Sequence, residues 1–281
     1  MQDILNHKYV ESFDGTKIHY LFKKGGKKVL FFVHGLFGDV TGWNKLNNYL
    51  LNENYTFIFM DSRAHGKSGK FYDEKLSTCS SITKDIVAIL NKENINKINI
   101  VGFSQGTVSS ILLSLNYPDF VEKQILISSN GSFGDTMFEK FLVSVSVLPT
   151  AILYYFPITR MLLSSGKGKE KDFSNVEWVE DYNFNIVEVF SALKKMRIGN
   201  AYNFLKDIPR VLKIGDFQKI KTPTLLLHGE KDSCFFLDRV KLFNKIVKSS
   251  KLVVLKGINH HPWNNCPKKL AQEIIKYIEN D

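Results

Sequence analysis

Lys97-Ile98-Asn99-Ile100-Val101-Gly102-Phe103-Ser104-Gln105-Gly106-Thr107 is the stretch on which the reading of this chain turns. The apolar, β-branched run from Lys97 to Val101 reads as a buried strand, and Thr107 to Asn116 reads as a helix. Between them, Gly102-Phe103-Ser104-Gln105-Gly106 has the Gly-x-Ser-x-Gly form of a nucleophile elbow. In so tight a turn, a β-carbon two residues either side of the serine would crowd the adjoining strand and helix, which explains the glycine at both flanks. The serine hydroxyl then stands above the end of a sheet, at a helix N-terminus that favours developing negative charge. The pentapeptide by itself would occur by chance in a chain of this length with probability of about 0.1. Its position between strand and helix is what gives it weight.

A serine at its ordinary pKa is a weak nucleophile and needs a base, with an acid to orient that base. Downstream, Thr224-Leu225-Leu226-Leu227-His228-Gly229 reads as a buried strand running into a turn, with Asp232 just beyond. Lys251-Leu252-Val253-Val254-Leu255 reads as another strand, and its exit loop, Lys256-Gly257-Ile258-Asn259-His260-His261-Pro262, carries two histidines. Nucleophile, acid and base candidates thus fall at the C-terminal ends of three strands, where open α/β sheets place their ligands. For the acid, Asp232 competes with Glu230 and Asp216; for the base, His260 competes with His261. His34, His65 and His228 sit in glycine turns and read as loop-shaping, while His7 and His19 are remote from any strand's C-terminal end.

These residues resemble those of the α/β-hydrolase family, in particular its cap-bearing serine esterase and lipase-like members. Beyond the elbow, His34-Gly35-Leu36-Phe37-Gly38 is similar to the family's oxyanion loop, and Asp61-Ser62-Arg63-Ala64-His65-Gly66-Lys67-Ser68 to its Asp-x-Arg-Gly-x-Gly-x-Ser loop. His228-Gly229-Glu230-Lys231-Asp232 resembles the acid-bearing turn, and Gly257-Ile258-Asn259-His260 the Gly-x-Gly-His loop. Ala64 and Asn259 stand where the family has glycine, and neither is a reacting group. The resemblance implies an α/β-hydrolase fold: a mostly parallel eight-stranded sheet flanked by helices, with a helical cap. It implies a triad of Ser104, Asp232 and His260, an oxyanion hole from the backbone N–H groups of Leu36 and Gln105, and a substrate pocket bordered by Phe37 and His261. The implied activity is hydrolysis of a carboxylic ester through an acyl-enzyme, on a short- or medium-chain ester, a monoacylglycerol or a lysolipid. A serine where some relatives carry aspartate argues against dehalogenase or epoxide-hydrolase chemistry. Peptidase, thioesterase, C–C hydrolase and perhydrolase activities use the same triad, and a ligand-sensing module acting through a protein partner uses the same fold.

The remainder of the chain agrees with one large α/β domain. Strand-like runs at Lys17–Phe22, Lys28–Val33, Tyr55–Met60 and Lys123–Ser128 alternate with amphipathic stretches around 41–51, 80–91, 107–116, 236–247 and 267–278. The first two of these runs flank a turn at Gly25-Gly26. Residues 131–215 break the rhythm: they are helical in flavour, lack a strand-like run and contain Pro149, Pro157 and Pro209. By resemblance they are the cap, inserted in a core of 1–130 and 216–281. Within the cap, Phe141 to Leu163 is apolar but is interrupted by Pro149, Pro157, Thr159 and Arg160, which disfavours a membrane span and leaves shallow lipid contact open. Of 281 residues three are cysteines, with no C-x-x-C pair, and the first 25 residues hold no apolar run; both suit a cytoplasmic setting. The net charge of +10 is spread along the chain with no basic block, so no nucleic-acid partner is expected. No cofactor is implied, and no H-E-x-x-H or paired Cys/His spacing points to a metal.

Overall fold

The computed structural model describes residues 4–69, 78–129, 212–232 and 234–280. The expected cap, all but its last four residues, and with it the Phe141–Leu163 segment, lies outside them. Eight strands form one sheet: β1 (Asn6–Glu11), β2 (Lys17–Lys23), β3 (Val29–Val33), β4 (Thr56–Met60), β5 (Ile98–Phe103), β6 (Val121–Ile127), β7 (Thr224–Gly229) and β8 (Ser250–Leu255). Their order is β1-β2-β4-β3-β5-β6-β7-β8. β1 and β2 pair antiparallel with each other, and β2 antiparallel with β4. From β4 to β8 every pairing is parallel.

The all-apolar strands require cover on both faces, and the side-chain alternation of a strand divides that cover in two. Leu30, Phe32, Phe57 and Phe59 turn to one face, where they pack with Leu46 and Leu50 of α1 (Asn44–Leu50). The same cluster takes in Leu270, Ala271, Ile274 and Ile278 of the C-terminal helix Pro267–Glu279. Phe31, Val33, Ile58 and Met60 turn to the other face, against Ile82, Ile86 and Ile89 of α2 (Thr78–Glu93) and Leu113 of α3 (Gln105–Asn116). A third cluster joins α3, β6 and β7 to the short helix α4 (Ile214–Phe217) and to α5 (Leu237–Ile246). Leu212 is already buried in this cluster beside Phe217 and Ile220. Two further helices, α6 (Pro262–Asn265) and α7 (Pro267–Glu279), each begin on a proline, whose missing N–H costs nothing at the first helical turn.

β1 is the strand that the residue pattern did not single out. Among the described residues it pairs only with β2, and its burial is shallow, so its sequence carries no apolar alternation strong enough to read. The turn at Gly25-Gly26 joins strands that are not neighbours, because β4 lies between β2 and β3. The chain crosses there over the start of β4. A β-carbon at Gly25 would lie 2.2 Å from the Tyr55 carbonyl oxygen, and one at Gly26 2.0 Å from that of Asn54. The glycines answer that backbone approach rather than a hairpin.

The loop after β4 is braced by a buried charge cluster. Arg63 is fully buried and grips Asp85 of α2 with two hydrogen bonds, of 2.8 Å and 2.6 Å, and Asp14 with a third of 2.8 Å. Burial pushes the Asp85 carboxyl up, and the Arg63 guanidinium opposes that shift. Removing one partner of such a cluster strands the other without compensation. Arg63→Met should therefore cost about 3–5 kcal/mol of stability in urea titration. The double variant Arg63→Met, Asp85→Leu should lose less than Arg63→Met alone, since the stranded carboxylate is gone.

Candidate active site

Ser104 occupies the single residue between the end of β5 and the start of α3, with φ +50° and ψ −116°. That conformation costs a non-glycine residue on the order of 1–3 kcal/mol, and it persists only where the surroundings hold it. Here the Ser104 N–H donates to the Ile127 carbonyl of β6 at 3.0 Å. The Ser104 carbonyl accepts from the Thr107 N–H at 3.0 Å and from the Thr107 hydroxyl at 2.6 Å. The flanking glycines are there for space. A β-carbon at Gly106 would sit 2.3 Å from the Val33 carbonyl oxygen, and one at Gly102 2.7 Å from that of Gly106.

The loops leaving β7 and β8 bring their polar residues to this serine. His260 Nε2 is 3.2 Å from Ser104 Oγ, and His260 Nδ1 is 2.8 Å from Asp232 Oδ2. The other Asp232 oxygen accepts the backbone N–H groups of Cys234 (2.9 Å) and Phe235 (3.0 Å). Burial alone would raise the Asp232 carboxyl, but the hydrogen bonds from His260 and the Phe235 backbone hold it below the usual carboxylate range. The rival acids are engaged elsewhere: exposed Glu230 accepts the Gly257 N–H at 2.9 Å, and Asp216 pairs with Lys219 at 2.8 Å. Adjacent His261 packs its ring on Phe103 and Trp263, with centroids 5.0 Å and 5.3 Å away. Burial and the neighbouring His260 push its pKa down to about 3. The Ser128 hydroxyl, at the end of β6, donates to the His260 carbonyl at 2.8 Å and anchors the loop from below. Ser128 had no signal in the sequence, because a serine after an apolar strand is an ordinary strand end.

On the opposite side, Gly35 brings the 34–38 loop against the elbow, where a β-carbon would meet the Phe103 ring at 2.9 Å and Ser104 Cβ at 3.1 Å. Leu36 and Phe37 are half-buried and pack on the second apolar cluster. Phe37 takes φ +65°, and its N–H donates to His65 Nε2 at 3.3 Å. His65 Nδ1–H in turn donates to the Arg63 carbonyl at 3.0 Å, so the ring is neutral, and burial pushes its pKa down to about 3. His34 is built the same way: it donates to the Gly35 carbonyl at 2.7 Å and accepts the Ser62 N–H at 3.0 Å. His228 donates to the Phe235 carbonyl at 3.0 Å, beneath the Asp232 turn. These three histidines shape loops, as their glycine-rich settings suggest. His19, though remote in sequence terms, reaches the same framework through Asp61 at 2.7 Å, and Asp61 also accepts the Val40 and Lys67 N–H groups at 2.8 Å each. Gln105 is the first residue of α3, where a backbone N–H has no partner within the helix. Among the described residues, one group of potential metal ligands converges: Asp232, Cys234 and His260, with ligand atoms within 4.8 Å of one another.

Comparison with known proteins agrees with this architecture. The chain is 23% identical over 263 residues to the mouse protein ABHD8, a match covering 89% of this chain and 55% of that protein. It thus spans about half the length of that relative. An esterase from Exiguobacterium antarcticum superposes with a TM-score of 0.77 at 18% identity, covering 98% of this chain and 100% of the other. An epoxide hydrolase from Vigna radiata does so with a TM-score of 0.75 at 17% identity, covering 99% of each chain. Identities this low speak for the fold alone, and two different chemistries share it. The model of the alpha/beta hydrolase fold family matches residues 28–262, a stretch running from the start of β3 through the elbow, the acid turn and the histidine loop, and the chain belongs to that family.

Proposed function

We propose that this protein is a serine hydrolase that cleaves a carboxylic ester. The observation that carries the reading is the hydrogen-bonded line Ser104–His260–Asp232, at 3.2 Å and 2.8 Å, ending at the base of a helix N-terminus. In this reading His260 Nε2 takes the hydroxyl proton as Ser104 Oγ attacks the acyl carbonyl. Asp232 keeps the proton on Nδ1 and stabilises the imidazolium. The oxyanion is received by the backbone N–H groups of Gln105 and Leu36, each worth about 10²–10³ in turnover for sites of this kind. His260 then protonates the leaving alcohol, and water, activated by the same imidazole, releases the acid. No cofactor enters the scheme.

The substrate belongs to the same proposal. A short- or medium-chain ester, a monoacylglycerol or a lysolipid suits an apolar cap over residues 131–215, set on the core of 1–130 and 216–281, with Phe37 and His261 bordering the pocket. The serine at the elbow supports ester chemistry over epoxide opening. A sensing role through a protein partner, the alternative, gains no support from a nucleophile and base already within hydrogen-bond reach. No helix among the described residues is long and apolar enough to cross a membrane. Shallow contact of the cap with lipid, and a cytoplasmic setting for three cysteines that form no disulfide, complete the reading.

A fluorophosphonate probe read beside p-nitrophenyl esters of increasing chain length tests this reading. Ser104→Ala should abolish labelling and lower kcat by about 10³-fold or more. Labelling that survives the substitution would overturn the assignment of the nucleophile.

His260→Ala should match the Ser104 variant, because residues acting as one unit are not additive. His261→Ala should keep kcat within about tenfold and act chiefly on KM, since its ring packs beside the site without reaching Ser104. The opposite ranking would exchange the roles of the two histidines.

His65 gives a pH prediction independent of turnover. Its native pKa, about 3, lies below the ordinary 6.5, so between these values the unfolded chain binds a proton that the native state does not. Stability must then fall as pH drops from 6.5 towards 3, by up to about 1.4 kcal/mol per pH unit from this group. His65→Gln should lower stability at pH 7 yet flatten its decline between pH 6 and 4, as read by urea midpoints. An unchanged slope would refute the buried neutral imidazole.

A further inference from the structure

We propose that Cys234, His260 and Asp232 form an inhibitory binding site for a borderline-soft divalent cation of the zinc type, which switches the triad off by taking its base. Cys234 lies two residues after Asp232 and is exposed, and it forms no disulfide. Its Sγ, a ring nitrogen of His260 and a carboxylate oxygen of Asp232 lie within 4.8 Å of one another. One sulfur, one nitrogen and one oxygen make a donor set that zinc accepts in tetrahedral sites, with the fourth position left to water. Tetrahedral ligands at ordinary zinc bond lengths stand about 3.3–3.7 Å apart. Asp232 Oδ2 and His260 Nδ1, 2.8 Å apart across their hydrogen bond, must therefore part by about 0.5 Å as the proton between them leaves, while the sulfur closes by up to roughly 1 Å.

The inhibition follows from which proton sits on which nitrogen. In the resting arrangement Nδ1–H faces Asp232, and the Nε2 lone pair faces Ser104 Oγ at 3.2 Å. A cation bound through Nδ1 displaces that proton, and the neutral ring then carries its hydrogen on Nε2, where it cannot accept the serine proton. The ring so bound is no longer a base for Ser104. The Cys234 thiol releases one proton to solvent as its sulfur binds, so affinity should rise with pH. The three residues lie at positions 232, 234 and 260, and the fold brings the third to the first two.

The inhibitory half of the proposal rests on the hydrolase reading, whereas the binding half does not. The full chain, freed of metal with a chelator, should be titrated with Co2+, whose thiolate charge-transfer absorption reports sulfur ligation without reference to activity. Wild type and Ser104→Ala should both develop the band at one ion per chain. Cys234→Ala should lose it, and His260→Ala should shift its midpoint at least about tenfold to higher cobalt. Cys79 and Cys266 provide the internal control, because they remain in every variant. In parallel, Zn2+ should suppress fluorophosphonate labelling of wild type reversibly, with chelator restoring it. Cys234→Ser should need at least about tenfold more zinc for the same suppression. Absence of the cobalt band in wild type, its persistence in Cys234→Ala, or an unmoved midpoint in His260→Ala would each overturn the site. A wild type that binds cobalt as described but never labels would sink the hydrolase reading and leave the metal site standing.

Discussion

A serine held at φ +50° is a high-energy turn, and much of the core is arranged to keep it there. The Ile127 carbonyl of β6 fixes its N–H, Thr107 fixes its carbonyl, and the end of β3 presses on Gly106 closely enough to exclude a side chain. The first and last of these contacts come from strands on either side of β5, so the turn is secured by the parallel register of the sheet as well as by the helix it opens. That register also delivers the loops after β7 and β8 to the same edge. Parallel strands end together, and their exits share one rim. The reactive geometry is a consequence of that rim and of the apolar packing on both faces that keeps the strands aligned.

A second layer of order comes from buried imidazoles. His34, His65 and His228 each donate to a backbone carbonyl, and His34 and His65 also accept a backbone N–H. A neutral imidazole can serve a donor and an acceptor at once, which neither lysine nor a carboxylate can. Burial suits this role in His65 and His228, since it pushes their pKa down and disfavours the charged ring, which would lose the acceptor. Asp61 completes the framework from the β4 loop, tying Val40 and Lys67 to His19 of β2. The loop that carries Leu36 and Phe37 is thereby tied to the sheet through polar contacts and not through apolar packing alone.

Much of this was legible in the residues. The predominantly apolar runs identified β2 to β8 because strands packed in a covered sheet bury most of their side chains, and the glycines of the elbow declared its tightness. The Ser, Asp and His candidates stood after separate strands, and the geometry brings Ser104, Asp232 and His260 within hydrogen-bond reach while Glu230, Asp216 and His261 turn to other partners. β1 was illegible because an edge strand buries too little to impose a pattern. Gly25-Gly26 was legible as a tight place, but a close crossing over β4 and a hairpin leave the same dipeptide.

By itself the sequence determined what depends on local periodicity and local sterics: the strand runs other than β1, the longer helices, the strained serine turn and the residue types fit for acyl chemistry. Tertiary structure alone decided what depends on distance through space. It set the strand order that puts β4 between β2 and β3, the reach of His260 to both Ser104 and Asp232, and the Ser128 anchor. It also decided the meeting of Cys234 with the Asp232–His260 pair. The physical reason is the same in each case. Hydrogen bonds and ligation act over about 3 Å, and chain separation says nothing about that distance until the sheet has placed its loops.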